Sequence, residues 1–412
     1  MDPVTLGMAK ADTRRRVNDL LAPGNVGQRV FGGRMGTYNN TSPTTFQITC
    51  ETQAPFDAIQ VIFANTQPRY SDNTVQVKAA SLPSRADLNG SAASWVTVTK
   101  SSLLRIMTRT SPGANRIGYT VSDVIPLSSV ARTDGGTKPI LVVRAYFSAN
   151  AALPVVGNGT DDFTNWATRT DGRLWAMRAQ TGDGVTTVAN FTSTTNISQS
   201  PIVGIRYLSR GRVVNVAGVG DSITDGRGTY LGEGFILPAV EALTNSGLAV
   251  EYSNFGWSGQ TQGMFAERAI DILQSEVRPD VLVFPSNSPN DETTTLTAAG
   301  ILAAKGRRGR VLAECARHGV RPVLWTMLPV NSAVNPWGSS DALRVADNAE
   351  VMALANRGVL VADSAAAVSG ATSGGQVQLA AGTNTDGIHP NDAGNAALTA
   401  AIHPALARAI GV

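Results

Sequence analysis

The sequence predicts an α/β protein with a β-rich forepart: a three-layer parallel-sheet domain preceded by an antiparallel β-sandwich of jelly-roll type. Three observations carry this. From about Gly211 onward, short apolar runs alternate strictly with helix-like segments, the pattern of a parallel sheet covered on both faces. Between about Thr41 and Leu208 the chain is instead rich in Thr, Ser, Asn and Val, in segments of alternating character separated by turn-rich connectors. A length of 412 residues, with 42% hydrophobic residues, supplies more than one core at roughly 100–200 residues per domain.

The chain divides into a leader over residues 1–40, a sandwich over 41–208 and an α/β domain over 209–412. The leader reads as helical around Asp12 to Leu21 and then broken by "APGNVG" and "FGGRMG". The sandwich segments include "TFQITCET", "AIQVIFAN", "VQVKAAS", "SWVTVTK", "KPILVVRAYF" and "RLWAMRA", with "RTDGGTKP" and "VVGNGTDD" as connectors. No fixed-period repeat is present, which argues against a solenoid or propeller. In the last part the strands are "VVNVAGV", "LAVEYSNF", "DVLVFPSN", "RPVLWTML" and "GVLVAD". The helices lie near Leu231–Asn245, Met264–Ser275, Leu296–Arg317, Asp341–Asn356 and Asp392–Ile410. At about 200 residues this part has the size of an independent domain, so it is expected to fold alone.

Charge and cysteine content exclude several functions. A net charge of +3 with only 16% charged residues gives little attraction for nucleic acid, and Arg14 to Arg16, flanked by Asp12 and Asp19, read as a solvated helix face. Two cysteines in different expected domains form neither a disulfide nor a metal cluster, so no metal or cofactor is expected. No stretch reaches the ~20 apolar residues of a membrane span, and "MDPVTLGMAKADTRRR" lacks the apolar core of a signal peptide. A soluble protein is expected, its compartment and oligomeric state left open.

Chemistry concentrates on one edge of the expected parallel sheet. "VVNVAGVGDSITDG" runs from an apolar strand into a turn that either cradles a phosphate or presents a nucleophile. The dinucleotide pattern fails, because Ile223 stands where the third glycine belongs, and no Lys is near for a phosphate loop. The nucleophile reading needs a base, and there are three histidines. His318 sits in a last helical turn before Gly319 and His403 lies within the terminal helix, both structural settings. His389, in "NTDGIHPNDAG", follows Asp386 by three residues, a spacing over which a bend lets the carboxylate orient the ring. The same stretch also reads as a turn before a helix capped by Asn391 or Asp392. Donors for an oxyanion come from two further loops, "NFGWSGQT" with Gly256 and Gly259, and "SNSPNDE" with Asn290, which otherwise reads as an Asx turn. All these loops follow strands, at the carboxyl edge where ligands of such folds bind.

Together these segments resemble the SGNH (GDSL-type) hydrolase family over about half the chain. "GDSITDG", "NFGWSGQT", "SPND" and "DGIHPN" are similar to its first, second, third and last blocks, in order. The resemblance implies a flavodoxin-like three-layer esterase domain. It implies Ser222 as nucleophile and oxyanion donor, Gly259 as a donor by its backbone N–H and Asn290 by its side-chain amide, His389 as base and Asp386 as its orienter. One position departs: the third block usually reads Gly-x-Asn-Asp, and here Ser288 replaces the glycine, with Pro289 available to fix the backbone.

The substrate expected is an acetylated carbohydrate or other small ester, since jelly-roll modules beside such esterases often recognise glycans. Trp337, in "PVNSAVNPWGSSD", reads either as a sugar-stacking platform or as a hydrophobic plug. Lipid, aryl or thioester hydrolysis is the alternative chemistry. From another class, the chain reads as a glycan-binding or virion attachment protein, because "DPVTLGMAKADTRRR" and the Thr/Ser/Asn-rich forepart loosely resemble bacteriophage tail or prophage proteins; that reading carries a virion or extracellular location with it.

Overall fold

The computed structural model describes residues 25–30, 34–40, 42–64, 76–87, 94–100, 119–147, 151–157, 175–185, 195–196, 199–226, 234–245 and 247–412. The helix expected at Asp12 to Leu21 lies outside these residues. The second half of the expected leader differs from its reading: it supplies two strands, β1 (Val26–Val30) and β2 (Arg34–Asn40). Their glycines suggested breaks, yet β1 is buried at every residue, because it is held by strand pairing across almost the whole forepart.

The strands that follow are β3 (Thr44–Glu51), β4 (Phe56–Ala64), β5 (Gln76–Leu82), β6 (Val96–Val98), β7 (Tyr119–Val121), β8 (Ile125–Pro126) and β9 (Ile140–Phe147). Next come β10 (Ala151–Gly157), β11 (Trp175–Thr181), β12 (Thr195–Asn196), β13 (Gln199–Ser200) and β14 (Ile202–Ser209). They form antiparallel sheets in the orders β12-β11-β3-β9-β5-β6, β1-β14-β4-β7 with β8 beside β4, and β13-β10-β2. Alternation along each strand decides what faces what. Phe46, Ile48, Leu141 and Val143 of the first sheet meet Phe56, Val61, Phe63 and Tyr207 of the second in one core. Ile62, Val30 and Val203 point the opposite way and join a different core, that of the α/β part.

The α/β part is built on β15 (Val213–Gly220), β16 (Ala249–Gly256), β17 (Val281–Pro285), β18 (Arg321–Trp325) and β19 (Leu360–Ala362), all parallel, in the order β16-β15-β17-β18-β19. Numbered along this part alone the order is 2-1-3-4-5, the flavodoxin-like arrangement expected. The helices are α1 (Ser222–Asp225), α2 (Ile236–Asn245), α3 (Gln262–Leu273), α4 (Ala298–His318), α5 (Asp341–Ala353), α6 (Ser364–Val368) and α7 (Asp392–Ile410). One face of the sheet packs against α2 and α7 through Val214, Val216, Ile236, Val240, Leu398 and Ile402. The other packs against α3 and α4 through Ala217, Val219, Phe265, Ile272 and Val311. A hairpin of β20 (Ser369–Ser373) and β21 (Gln376–Leu379) was not legible in the sequence, β20 being exposed throughout and carrying no apolar pattern.

The sequence boundary at residue 209 falls between β14 and β15, but the packing crosses it. Val30, Ile62, Val121 and Val203 share one apolar cluster with Phe255, Phe265 and Leu282. Polar groups cross it too. Asn215 Oδ1 accepts the Gln28 N–H at 2.7 Å, and Ser253 Oγ accepts the Val30 N–H at 3.0 Å. Buried Glu251 accepts from Arg29 Nε at 3.0 Å, Tyr207 Oη at 2.6 Å and the Gln53 N–H at 2.7 Å. The packing therefore argues against the independence that size alone led us to expect, since a chain starting at 209 would open this cluster to water.

Cys50 and Cys315 are free and buried in different cores. Burial pushes both thiols up to about 12. Among the described residues no helix is long and apolar enough to cross a membrane.

Candidate active site

Strand β15 ends at Gly220, paired with Gly256 at the end of β16, and the chain then turns abruptly into α1. Glycine is required at both ends by close approach. A Cβ on Gly220 would lie 2.0 Å from Thr224 Oγ1, and one on Gly256 would lie 2.3 Å from the Asp225 backbone nitrogen. Asp221 caps the turn, its Oδ1 accepting the Ile223 N–H at 3.0 Å, and Gly226 closes α1 at φ 93°. Ser222 is thereby held at the carboxyl end of β15, buried to 4% exposure.

His389 comes from the loop ahead of α7. Its Nε2 lies 2.8 Å from Ser222 Oγ and its Nδ1 lies 2.7 Å from Asp386 Oδ2. Asp386 Oδ1 accepts the backbone N–H groups of Ile388 at 3.1 Å and His389 at 2.9 Å, so a three-residue bend locks carboxylate and ring together. Burial alone would raise the Asp386 pKa. The hydrogen bonds from the His389 backbone and ring and from Ile388 outweigh it and hold the carboxyl below its usual range. An ionised Asp386 favours a proton on Nδ1, which leaves Nε2 free to accept from Ser222 Oγ. The alternative reading, a helix cap, holds at the same time: Asn391 Oδ1 accepts the Gly394 N–H at 3.1 Å.

The loop is braced from β18. Asn331 donates its N–H to the Gly387 carbonyl at 2.8 Å, and Gly387 has φ 87° with Asn331 Cβ and Val334 Cγ2 about its missing side chain. The loop carrying Asn331 is in turn pinned by fully buried Gln376, whose Nε2 donates to the carbonyls of Val330 at 2.7 Å and Asn335 at 2.9 Å. Trp337 belongs to this brace. It is 3% exposed, packed with Leu296, Met327 and Val330, and its Nε1 donates to the Glu292 carbonyl at 2.7 Å. The sugar-platform reading of Trp337 is thus corrected: an indole covered on all sides has no face left for a sugar ring, and the plug reading fits.

The two donor loops meet at the Gln260 carbonyl. Gly259 stands exposed at φ 81° with open space around it. Next to it, Gln260 accepts from Asn290 Nδ2 at 2.9 Å. Asp291 takes a structural part, its Oδ2 accepting the Gln262 N–H at 2.7 Å, which caps α3 where Thr261 offers no side-chain bond.

The model of the GDSL-like lipase/acylhydrolase family matches residues 219–397, the span that holds Ser222, Gly259, Asn290, Asp386 and His389. Over this span the chain is similar to the GDSL-like lipase/acylhydrolase family, a family of ester hydrolases. Among solved structures it is similar to a GDSL-like lipase from Bacteroides thetaiotaomicron, with 19% identity over 47% of this chain and 88% of that chain and a TM-score of 0.38. It is also similar to a carbohydrate esterase family 3 structure from Talaromyces cellulolyticus, with 20% identity, 48% and 98% coverage and a TM-score of 0.36. A third is a mutant of an acetyl-xylooligosaccharide esterase from Geobacillus Stearmophilus, with 19% identity, 48% and 94% coverage and a TM-score of 0.35. No curated protein matches the chain.

Two residues of the matched span escaped the sequence reading. Asp221, beside the serine, received no role there, although an Asp ahead of a helix is a capping signal. It is fully buried, and burial pushes its carboxyl up, opposed by hydrogen bonds from Ser288 and from the Ile223 N–H. Gln260 acts through its backbone carbonyl, which no side-chain pattern reveals.

Proposed function

We propose that the protein is a serine ester hydrolase working through an acyl-enzyme, with O-acetyl groups on a carbohydrate as its substrate. The hydrogen-bonded chain Ser222–His389–Asp386 carries this reading. His389 Nε2 takes the Ser222 Oγ proton as Oγ attacks the ester carbonyl, and Asp386 stabilises the imidazolium that forms. The oxyanion is held by the N–H groups of Ser222 and Gly259 and by the Asn290 amide. Collapse expels the sugar hydroxyl, protonated by His389. Water, deprotonated by the same nitrogen, then releases acetate and restores the serine.

The rim supports a hydrophilic substrate. Ser258, Asn290, Asn331, Ser332, Asn384 and Thr385, all at least partly exposed, surround the loops that carry the candidate residues. The exposed large apolar side chains among the described residues are Val130, Leu302, Val334, Val345 and Val412, all aliphatic. The β-rich forepart, packed on the hydrolase domain, supports a polymer substrate by analogy with modules that hold glycans near an active site.

Two measurements test this. Assayed on p-nitrophenyl acetate, butyrate and octanoate and on acetylated polysaccharide, the full chain is expected to prefer acetate over octanoate by at least about tenfold and to release acetate from the polymer. Preference for octanoate would turn the reading to lipid hydrolysis. Turnover of none of them would favour a binding protein. Asn290→Ala is expected to lower kcat about 10²–10³-fold with little change in KM, because its bond strengthens only in the transition state. An unchanged kcat would reduce Asn290 to its Asx-turn role.

A further inference from the structure

The residue that departs from the family pattern sits at the junction of the three loops. Ser288 is 1% exposed. Its Oγ lies 2.5 Å from Asp221 Oδ2 and 3.1 Å from the Gln260 carbonyl oxygen, and it accepts the Asn290 N–H at 3.2 Å. A glycine makes none of these bonds. A hydroxyl has one proton to give, and the shorter, charge-assisted bond to the Asp221 carboxylate takes it. The Gln260 carbonyl is then left to Asn290 Nδ2, at 2.9 Å. Of the two amide hydrogens on that nitrogen, one is thus committed to Gln260 and the other has its direction set by that commitment.

The consequence reaches Ser222. Asp221 caps the turn that holds the nucleophile, through Ile223, while Ser288 holds the same carboxylate from the opposite loop and the Asn290 backbone from its own. We propose that Ser288 is a positioning residue for the oxyanion site: its buried hydroxyl ties the nucleophile turn to the Asn290 loop and thereby aims the Asn290 amide. In this chain the hydroxyl supplies a constraint that the usual glycine does not. The inference rests on the serine-hydrolase reading above and acts on its transition state alone, since the amide is asked for most when charge has developed on the carbonyl oxygen.

The test is a double-mutant cycle on the full chain with p-nitrophenyl acetate. Ser288→Ala is expected to lower kcat about tenfold, the effect of one lost hydrogen bond, with KM within about twofold. In the Asn290→Ala background the same change is expected to cost nothing further, because the amide it aims is gone. A residue that only supports folding would cost the same in both backgrounds, and that additive result, or a Ser288→Ala kcat equal to wild type, would overturn the proposal. Ser288→Cys, nearly the same size with a weaker donor, guards against loss of fold and is expected to show a smaller loss in the same direction; equal kcat and coupling-free behaviour there would also count against it. Fluorophosphonate labelling of the wild type separates the two levels. An unlabelled, inactive wild type defeats the hydrolase reading itself, whereas a labelled, active wild type with an indifferent Ser288 defeats only this inference.

Discussion

Replacing Ser222 by alanine is expected to abolish both labelling by a fluorophosphonate and ester turnover, lowering kcat by about 10⁴–10⁶-fold. The size of the effect follows from what the residue would do. Its Oγ, 2.8 Å from His389 Nε2, is the atom to which the acyl group would transfer, and no neighbouring hydroxyl bonds to that nitrogen among the described residues. The remaining donors can still polarise a bound ester, so a small residual rate is expected. Mapping the labelled peptide in the wild type supplies the decisive control. Label on a serine other than Ser222, or label that survives in Ser222→Ala, would remove it from the reaction.

Arg29→Met is expected to destabilise the protein by about 3–5 kcal/mol, read as a lower midpoint of thermal or denaturant unfolding. Arg29 and Glu251 meet in a buried junction, Arg29 5% and Glu251 0% exposed, with Nε and Nη2 both on Glu251 Oε2 at 3.0 and 2.5 Å. Burial alone would lower the Arg29 pKa, and the Glu251 charge with its hydrogen bonds more than reverses it. Removing the guanidinium strands a carboxylate that keeps, among the described residues, Tyr207 and the Gln53 N–H as donors. Adding Glu251→Gln is expected to recover part of the loss, because the amide removes the unpaired charge while its oxygen can still accept from Tyr207 and the Gln53 N–H. A single variant within about 1 kcal/mol of wild type would show that Glu251 is reached by water. Since β1 lies in the forepart and Glu251 on β16, the same measurement reports how strongly the two parts are held together.

The parallel sheet and its order of elements were legible in the sequence because each strand there is buried on both faces. Such strands read as largely apolar runs, and the helices packed on them, such as α4 and α7, end in Gly319 and Gly411 at positive φ. The candidate residues were legible for a local reason. Ser222 follows its strand directly, and Asp386 and His389 lie within one bend, so their types and spacings survive in one dimension. Tertiary structure alone decided the rest. Whether Trp337 faces a ligand or the core depends on Gln376 and the hairpin at 369–379, which lie 32 to 42 positions further along the chain. That residues 26–30 are a core strand depends on pairing with β14, nearly 180 positions away. And the part played by Ser288 depends on Asp221 and Gln260 arriving beside it from two other strand ends. A hydrogen bond between distant segments has no periodicity and no fixed spacing, so it leaves no mark in the sequence until the chain has folded.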